Sequence, residues 1–535
     1  MNILSAVCLA AFLAKSSANQ SQSVTPGGIP YVVNCPQDKI RDTDLTIEQV
    51  DDLNEDIAEL VANIVKDPYF SVYKVDLSQD RCPFVNRDGI CGNHACAIEP
   101  IDEHLPEIWR SPYLGKLRDN SVSTVAPADS LEGCAPEEKS IYAYLGRVSD
   151  RHDYCYPEDE SDEAKGVWVD LNDNIERFTG YSGEEAHRLW RAVYEENCFG
   201  YNGDDYATST GASLARAQPM AVTDHSAMMS MFADSIERGA RGVDEREPLP
   251  LINQDDQCVE QRLFYKLLSG MHASVSTHLS YDWLNTTSGY WGPNVGMFVE
   301  RVGNHEDRLN HLYFNYVLVS RAVAKLANYF ELLSFSTTCE SVDTEVRRHL
   351  WRLSRRINKY PRGINETALF MTPEGRALKD EFRRRVRNVN ALMSCVGCER
   401  CRLWGKMQTA GYGTSLKVLL ELPERPEDDP VAVREVLSSF KRSELVALLN
   451  TFARISHSVE SVGFFRRKVA DKYGYSQSFS YQLKLGLKVF RKAVGFILQS
   501  YLDFPKNIWR FFLYYSHMYW NKFVGRTATL THIDL

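Results

Sequence analysis

Apolar residues recur at helical spacing most strongly between residues 258 and 420. Phe264, Leu268, Met271 and Val275 repeat three or four apart. Leu309, Leu312, Tyr316, Val319, Val323, Leu326 and Phe330 carry the same spacing over several turns. Side chains three and four apart share one face of an α-helix, so each series predicts a helix that buries one stripe. Leu378, Phe382, Val386, Val389 and Leu392 predict another helix, running directly into Cys395. Alternating apolar and polar runs of useful length are scarce. The expected fold class is mainly α: a single large helical domain built on a bundle, preceded by a cysteine-rich, loop-rich region.

That N-terminal region, residues 19–160, holds Cys35, Cys82, Cys91, Cys96, Cys134 and Cys155 among Pro and Gly punctuation, which predicts loops with short elements. Residues 161–423 form the expected helical core. Within it, residues 200–256 are rich in Gly, Asp, Ser, Ala and Arg without a sustained apolar period, and predict a flexible insertion. Glu424-Arg-Pro-Glu-Asp-Asp-Pro430 reads as a linker, which makes 424–535 a linker and a C-terminal tail. Beyond residue 470, Lys484, Lys488, Arg491, Lys492, Lys506, Arg510, Lys522 and Arg526 are interleaved with Phe, Tyr, Trp and Leu. These charges interrupt every apolar run, so no stretch of about 20 residues could cross a bilayer. A mixture of cations and rings suits the surface of a membrane instead.

Composition narrows the function. The 535 residues carry a net charge of -10, which argues against a nucleic-acid partner. Ile3 to Ala14 form a short apolar run followed by Ser16-Ser17-Ala18, as in a secretory signal peptide spanning 1–18. Cleavage there would remove Cys8 and leave 12 of the 13 cysteines, an even number. Even count and secretory entry favour disulfides over zinc, and no metal site is expected. Sequons begin at Asn19, Asn285 and Asn365, candidate sites for glycosylation.

The chemistry centres on Cys395-Val-Gly-Cys398-Glu-Arg-Cys401. A C-x-x-C pair closes a small disulfide and exchanges it with other thiols; nearby arginines and helix N-terminal amides make such a thiol reactive. Spacing alone leaves redox, structural and metal roles open, although no nearby His or second C-x-x-C completes a zinc tetrahedron. Cys91-Gly-Asn-His-Ala-Cys96, after Cys82-Pro-Phe, closes a short loop suited either to exchange with another protein or to stapling.

The longer context decides between these readings. The run from Cys395 through Cys401-Arg-Leu-Trp-Gly-Lys406, then Gly411-Tyr-Gly413-Thr and Leu416-Lys417, resembles the active site of the endoplasmic-reticulum oxidoreductin family, in a fungal member. Cys82-Pro-Phe with Cys91 and Cys96 resembles the family's shuttle segment. Glu176-Arg177-Phe-Thr179-Gly-Tyr181 with Trp190, and Ser269-Gly-Met-His272, resemble its flavin-contacting stretches; Arg301 and Arg308 match two family arginines.

The resemblance covers residues 65 to 420. It implies an FAD-dependent thiol oxidase of the endoplasmic-reticulum lumen. Electrons would pass from reduced protein disulfide isomerase to Cys91–Cys96, then Cys398–Cys401, FAD and dioxygen, giving hydrogen peroxide. FAD would be held by Arg177, Thr179, Trp190, Ser269, His272, Arg301 and Arg308. Cys82 would bond Cys395, and Cys198 would bond Cys258 across the insertion. Cys134, Cys155 and Cys339 remain for regulatory disulfides, with Cys35 unassigned. The alternatives are a non-enzymatic, disulfide-stabilised luminal binding protein and a zinc-binding interaction module.

Overall fold

A computed structural model describes residues 30–35, 38–78, 122–125, 152–155, 166–175, 258–285, 290–333, 340–396 and 399–473, with scattered positions in 189–199 and 487–520. Among these residues the architecture is helical, as the apolar spacing predicts. The main helices are α1 (Ile47–Ile64), α2 (Val259–Tyr281), α3 (Glu306–Leu326), α4 (Glu340–Ile357), α5 (Pro373–Leu392), α6 (Glu399–Glu421), α7 (Pro430–Ser438) and α8 (Arg442–Lys472). Two antiparallel ribbons accompany them. In one, β1 (Val72–Val75) pairs with β2 (Val167–Asp170), Val72 opposite Asp170; in the other, β3 (Trp283–Asn285) pairs with β4 (Tyr290–Gly292).

Helix starts follow local chemistry. Thr46 and Gln49 form a reciprocal capping box on α1, which supplies two of the backbone partners that the first turn lacks. Thr372 caps α5 and Asp429 caps α7, each followed by a proline whose fixed φ suits the first helical position.

α3 is the axis of the bundle. Every residue from Leu309 to Leu326 is buried, so the expected single stripe is a fully enclosed helix. α2 packs along it, and α6, α4 and α1 pack around it. α2 is likewise buried on nearly all sides from Leu263 to Ser280, not on one stripe. Gly270 permits the close approach of these two helices: a Cβ there would lie 2.4 Å from both the Asn315 amide nitrogen and the His311 carbonyl oxygen.

Two organisational expectations change. The N-terminal region is not only loops and short elements. α1 is an eighteen-residue helix whose Ile47, Val50, Leu53, Ile57, Val61 and Ile64 face inward. The expected boundary at 424 is also displaced. The chain divides into compact units Met1–Arg466 and Arg467–Leu535. α7 and most of α8 belong to the first, with Val446, Leu448, Phe452, Ile455 and Val462 fully buried. The presumed linker is a turn between α6 and α7, held by Glu424 accepting Arg321 at 2.8 Å and Arg362 at 3.0 Å. The second unit exposes Phe490, Phe504, Trp509, Phe511, Phe512 and Trp520. No helix among the described residues is long and apolar enough to cross a membrane. Residues 1–18 and 200–256 lie outside the described residues.

Candidate functional site

The cysteine segment straddles the junction of α5 and α6. A short 3-10 turn, Met393–Cys395, ends α5; Val396 is extended, and α6 begins at Glu399. Cys395 and Cys401 are buried and both are disulfide-bonded. The expected partners, Cys82 and Cys398, lie outside the described residues, as do Cys91 and Cys96. Cys401 stands in the first turn of α6, where unpaired backbone amides favour negative charge on a sulfur released from its bond.

The basic and aromatic residues after Cys401 bond to backbone carbonyls rather than to solvent. Arg402 donates from Nε to the Val396 carbonyl at 2.7 Å and from Nη1 to the Leu77 carbonyl. Lys406 donates to the Asp76 carbonyl, and Trp404 Nε1 to the Asn174 carbonyl at 2.7 Å. Glu399 accepts the backbone amide of Val122 at 3.0 Å. Asn174 in turn holds Ser123, accepting its amide at 2.9 Å. The helix start is thus tied to the residues that follow each strand of the first ribbon. Asp76 and Leu77 lead into the segment that carries Cys82, Cys91 and Cys96, so α6 grips the root of that segment.

A second cluster gathers residues distant in sequence. Trp190 stacks on His272, ring centres 4.2 Å apart and 17° from parallel. Tyr194 places its hydroxyl 3.2 Å from His272 Nδ1 and is also hydrogen-bonded to Ser269. Burial is the main cause that raises the Tyr194 pKa, against the opposing charge of Arg308, so its hydroxyl stays protonated. Tyr265 packs on Tyr194 at 5.9 Å. Arg301 sits in a five-residue π-turn, Val299–Gly303, and its carbonyl accepts Arg308 Nη1 at 2.6 Å. π-turns are rare and concentrate at functional sites. Both arginines are half-buried. The structure therefore brings together Trp190, Ser269, His272, Arg301 and Arg308; Arg177 and Thr179 lie outside the described residues. Flat rings, hydroxyls and two guanidinium groups in one place suit a ligand that is both aromatic and anionic.

Sequence reasoning missed Tyr194 and Tyr265. Tyr265 lies four and seven residues before Ser269 and His272, on the same helical face, and that spacing could have revealed it.

Of the remaining cysteines, Cys258 is a free thiol at the start of α2, and its expected partner Cys198 lies outside the described residues. Cys155 and Cys35 are free and buried. Burial pushes the Cys155 thiol well up and that of Cys35 to about 11, which leaves both unreactive as placed. Cys155 is enclosed because its neighbours are clamped to the bundle. Asp153 accepts Lys417 at 2.6 Å, Tyr154 donates to Glu421 at 2.7 Å, and His152 lies 3.2 Å from Glu421. Cys134 and Cys339 lie outside the described residues. No group of metal-ligating side chains occurs among the described residues.

Comparison with known proteins places the chain in a family. The family model for Endoplasmic Reticulum Oxidoreductin 1 matches residues 56–462. Endoplasmic reticulum oxidoreductin-1 of Neurospora crassa is 39% identical over 464 residues, covering 82% of this chain and 69% of that protein. Endoplasmic oxidoreductin-1 of Saccharomyces cerevisiae is 28% identical, covering 98% of this chain and 95% of that protein. A solved structure titled as that of Ero1p, source of disulfide bonds for oxidative protein folding in the cell, matches with a TM-score of 0.54 at 29% identity, covering 80% of this chain and 98% of that one. The match reaches to residue 462, close to the end of the first compact unit at Arg466 and well past the boundary expected at 424. With its cysteine-bearing helix start and its ring-and-arginine cluster on one bundle, the chain belongs to the endoplasmic reticulum oxidoreductin family.

Proposed function

We propose that this oxidoreductin is an FAD-dependent thiol oxidase of the endoplasmic-reticulum lumen that makes disulfides de novo. The observation that carries the reading is the convergence of Trp190, Ser269, His272, Arg301 and Arg308 on the bundle that also presents Cys401. The donor set fits FAD. The Trp190 and His272 rings offer faces for stacking, and Ser269 and Tyr194 offer hydroxyls. The half-buried arginines can pair with a diphosphate, joined by Arg177 and Thr179. No Gly-rich dinucleotide loop is needed when side chains supply these contacts. Bound there, FAD would supply the two-electron acceptor that dioxygen can reoxidise.

The protein's part is a relay of thiol–disulfide exchange. A thiolate of reduced protein disulfide isomerase attacks the Cys91–Cys96 bond, forming a mixed disulfide that its second thiolate resolves. The reduced pair then attacks Cys398–Cys401 at Cys398, releasing Cys401 toward the cofactor site. Dioxygen is the final acceptor and hydrogen peroxide the product. Cys395, held by a disulfide beside Val396, anchors the segment, with Cys82 as the proposed partner. In the second unit, exposed Trp509, Phe512 and Trp520 among lysines and arginines support contact with the luminal membrane surface.

The purified protein should be yellow, with a flavin absorption spectrum; a colourless protein rejects the reading. Cys91→Ala should block oxidation of reduced isomerase while sparing small dithiols, and Cys398→Ala should abolish both. Equal loss of both activities in Cys91→Ala would reject the shuttle role.

A further inference from the structure

The core of the bundle contains polar groups that the site above does not use. His311 is 1% exposed, and neither of its ring nitrogens has a hydrogen-bond partner. One turn further along α3, Asn315 Oδ1 is buried without one; so is Gln408 Nε2 on α6. Buried polar atoms in native proteins are almost always satisfied, by ordered water where protein atoms do not reach. Four such atoms on three residues of one core point to internal water.

These residues form a series. The His311 ring meets Tyr265 edge-on at 5.6 Å, and Tyr265 leads through Tyr194 to His272. In the other direction, Asn315 Nδ2 donates to the Leu267 carbonyl at 3.0 Å and to the Tyr412 hydroxyl at 3.2 Å. Tyr412 lies beside the Gln408 side chain. Gln408 lies seven residues beyond Cys401, nearly two helical turns, so the two share a face of α6.

We propose that His311, Asn315, Tyr412 and Gln408, with water at their unpartnered atoms, form a proton track between the Cys401 helix and the ring cluster. The proposal rests on the oxidase reading given above. Closing Cys398–Cys401 from two thiols breaks two S–H bonds and forms one S–S bond. Two electrons and two protons leave the sulfurs. Both pairs end on dioxygen, where two O–H bonds form as it becomes hydrogen peroxide. A bound flavin would supply the path for the electrons. Protons need successive donors and acceptors in a core closed to bulk water.

The residues suit that task. Burial, with the nearby charges of Lys266 and Arg41, holds the His311 pKa down to about 3. The ring is therefore neutral and carries one donor and one acceptor nitrogen, so it can take a proton on one side and release one on the other. Burial pushes the Tyr412 hydroxyl to about 12, so it keeps its proton and can pass one along a chain. Asn315 holds the series in register by bonding the α2 backbone where Gly270 lets the helices touch.

The test uses the full-length holoenzyme. His311→Phe keeps a ring against Tyr265 and removes both nitrogens. Tyr412→Phe removes one oxygen and leaves the Asn315–Leu267 bond. A crystal structure that resolves water should show an ordered oxygen within hydrogen-bond reach of His311 and Asn315 in the wild type, absent in His311→Phe. Stopped-flow reduction of the flavin by dithiothreitol without dioxygen should be slowed about tenfold in His311→Phe, at unchanged flavin content. Its solvent isotope effect in heavy water should exceed that of the wild type, and Tyr412→Phe should change in the same direction. A dry His311 site, or a slowed variant with the wild-type isotope effect, overturns the track. So does a variant with the wild-type rate. A colourless wild type overturns the oxidase reading and the track together, whereas a yellow wild type with a normal His311→Phe overturns the track alone.

Discussion

Replacing Lys417 with Met should cost the core about 3–5 kcal/mol at neutral pH, because it breaks a buried ion cluster from one side only. The Lys417 side chain is 0% exposed and that of Glu444 1%. Its ammonium donates to Asp153 at 2.6 Å, to the two Glu444 oxygens at 2.9 and 3.1 Å, and to the Ser439 carbonyl at 3.2 Å. Met fills the volume but leaves two carboxylates facing each other without water. Burial already raises the Glu444 pKa above its ordinary 4.5 despite Lys417, and loss of the ammonium raises it further. A carboxyl whose folded pKa is raised favours the folded state while protonated, and that benefit disappears as pH climbs through the folded value. The variant should therefore lose least below the ordinary carboxyl range and most above the raised value. Urea unfolding followed by circular dichroism at about pH 4 and about pH 7.5 measures both ends. Adding Glu444→Gln should recover a large part of the loss at neutral pH. A second readout is local: with Asp153 released, the Cys155 thiol should react with a maleimide that does not reach it in the wild type. A loss below about 1 kcal/mol at neutral pH, or one independent of pH, would refute the cluster's role.

Glu421, held near 2 despite burial by His152, Lys379, Tyr154 and Arg383, contributes about 3 kcal/mol that is present above its ordinary 4.5 and lost as pH falls toward 2. Glu421→Gln should remove most of it at neutral pH and little near pH 2 in the same unfolding assay. Gly270→Ala should cost about 1–3 kcal/mol, since the new methyl group forces α2 from α3; a midpoint equal to wild type would contradict the close approach. Removing residues 470–535 should move the protein from a membrane pellet to the soluble lumenal fraction with its flavin retained, and unchanged fractionation would reject membrane contact. If Cys134, Cys155 or Cys339 restrains the shuttle, its replacement should shorten the lag in oxygen uptake after reduced isomerase is added; for Cys155 this requires its clamped segment to open first.

The cysteine motifs were legible because they are short and contiguous. The C-x-x-C-x-x-C run, its Arg-Leu-Trp-Gly-Lys continuation and the Cys91–Cys96 loop each fit within a dozen residues. Helices α2, α3 and α5 were equally legible, since a 3.6-residue period is a local property of the chain. α1 was overlooked among cysteines and prolines, although its inward series runs three and four apart from Ile47 to Ile64. The tail boundary was misplaced because Asp429-Pro430 is chemically the same whether it ends a domain or starts a helix.

The sequence by itself therefore determined the helical class, the family to which the chain belongs and most members of the ring-and-arginine cluster. Only the tertiary structure decided what those residues touch. Arg402, Trp404 and Lys406 read as charges and a ring beside a redox motif; the fold turns them onto the carbonyls of Leu77, Asn174 and Asp76, up to 330 residues away. The stripes on α2 and α3 became enclosed faces because neighbouring helices cover every side, a count of neighbours that no single helix encodes. Cys155 looked available for pairing, yet Lys417 and Glu421 close the bundle over its segment. Periodicity and motif spacing act over a few residues and survive in one dimension. Burial, ion pairing and the meeting of Trp190 with His272 depend on contacts between segments far apart in the chain, and the physics that fixes them operates only once the bundle has closed.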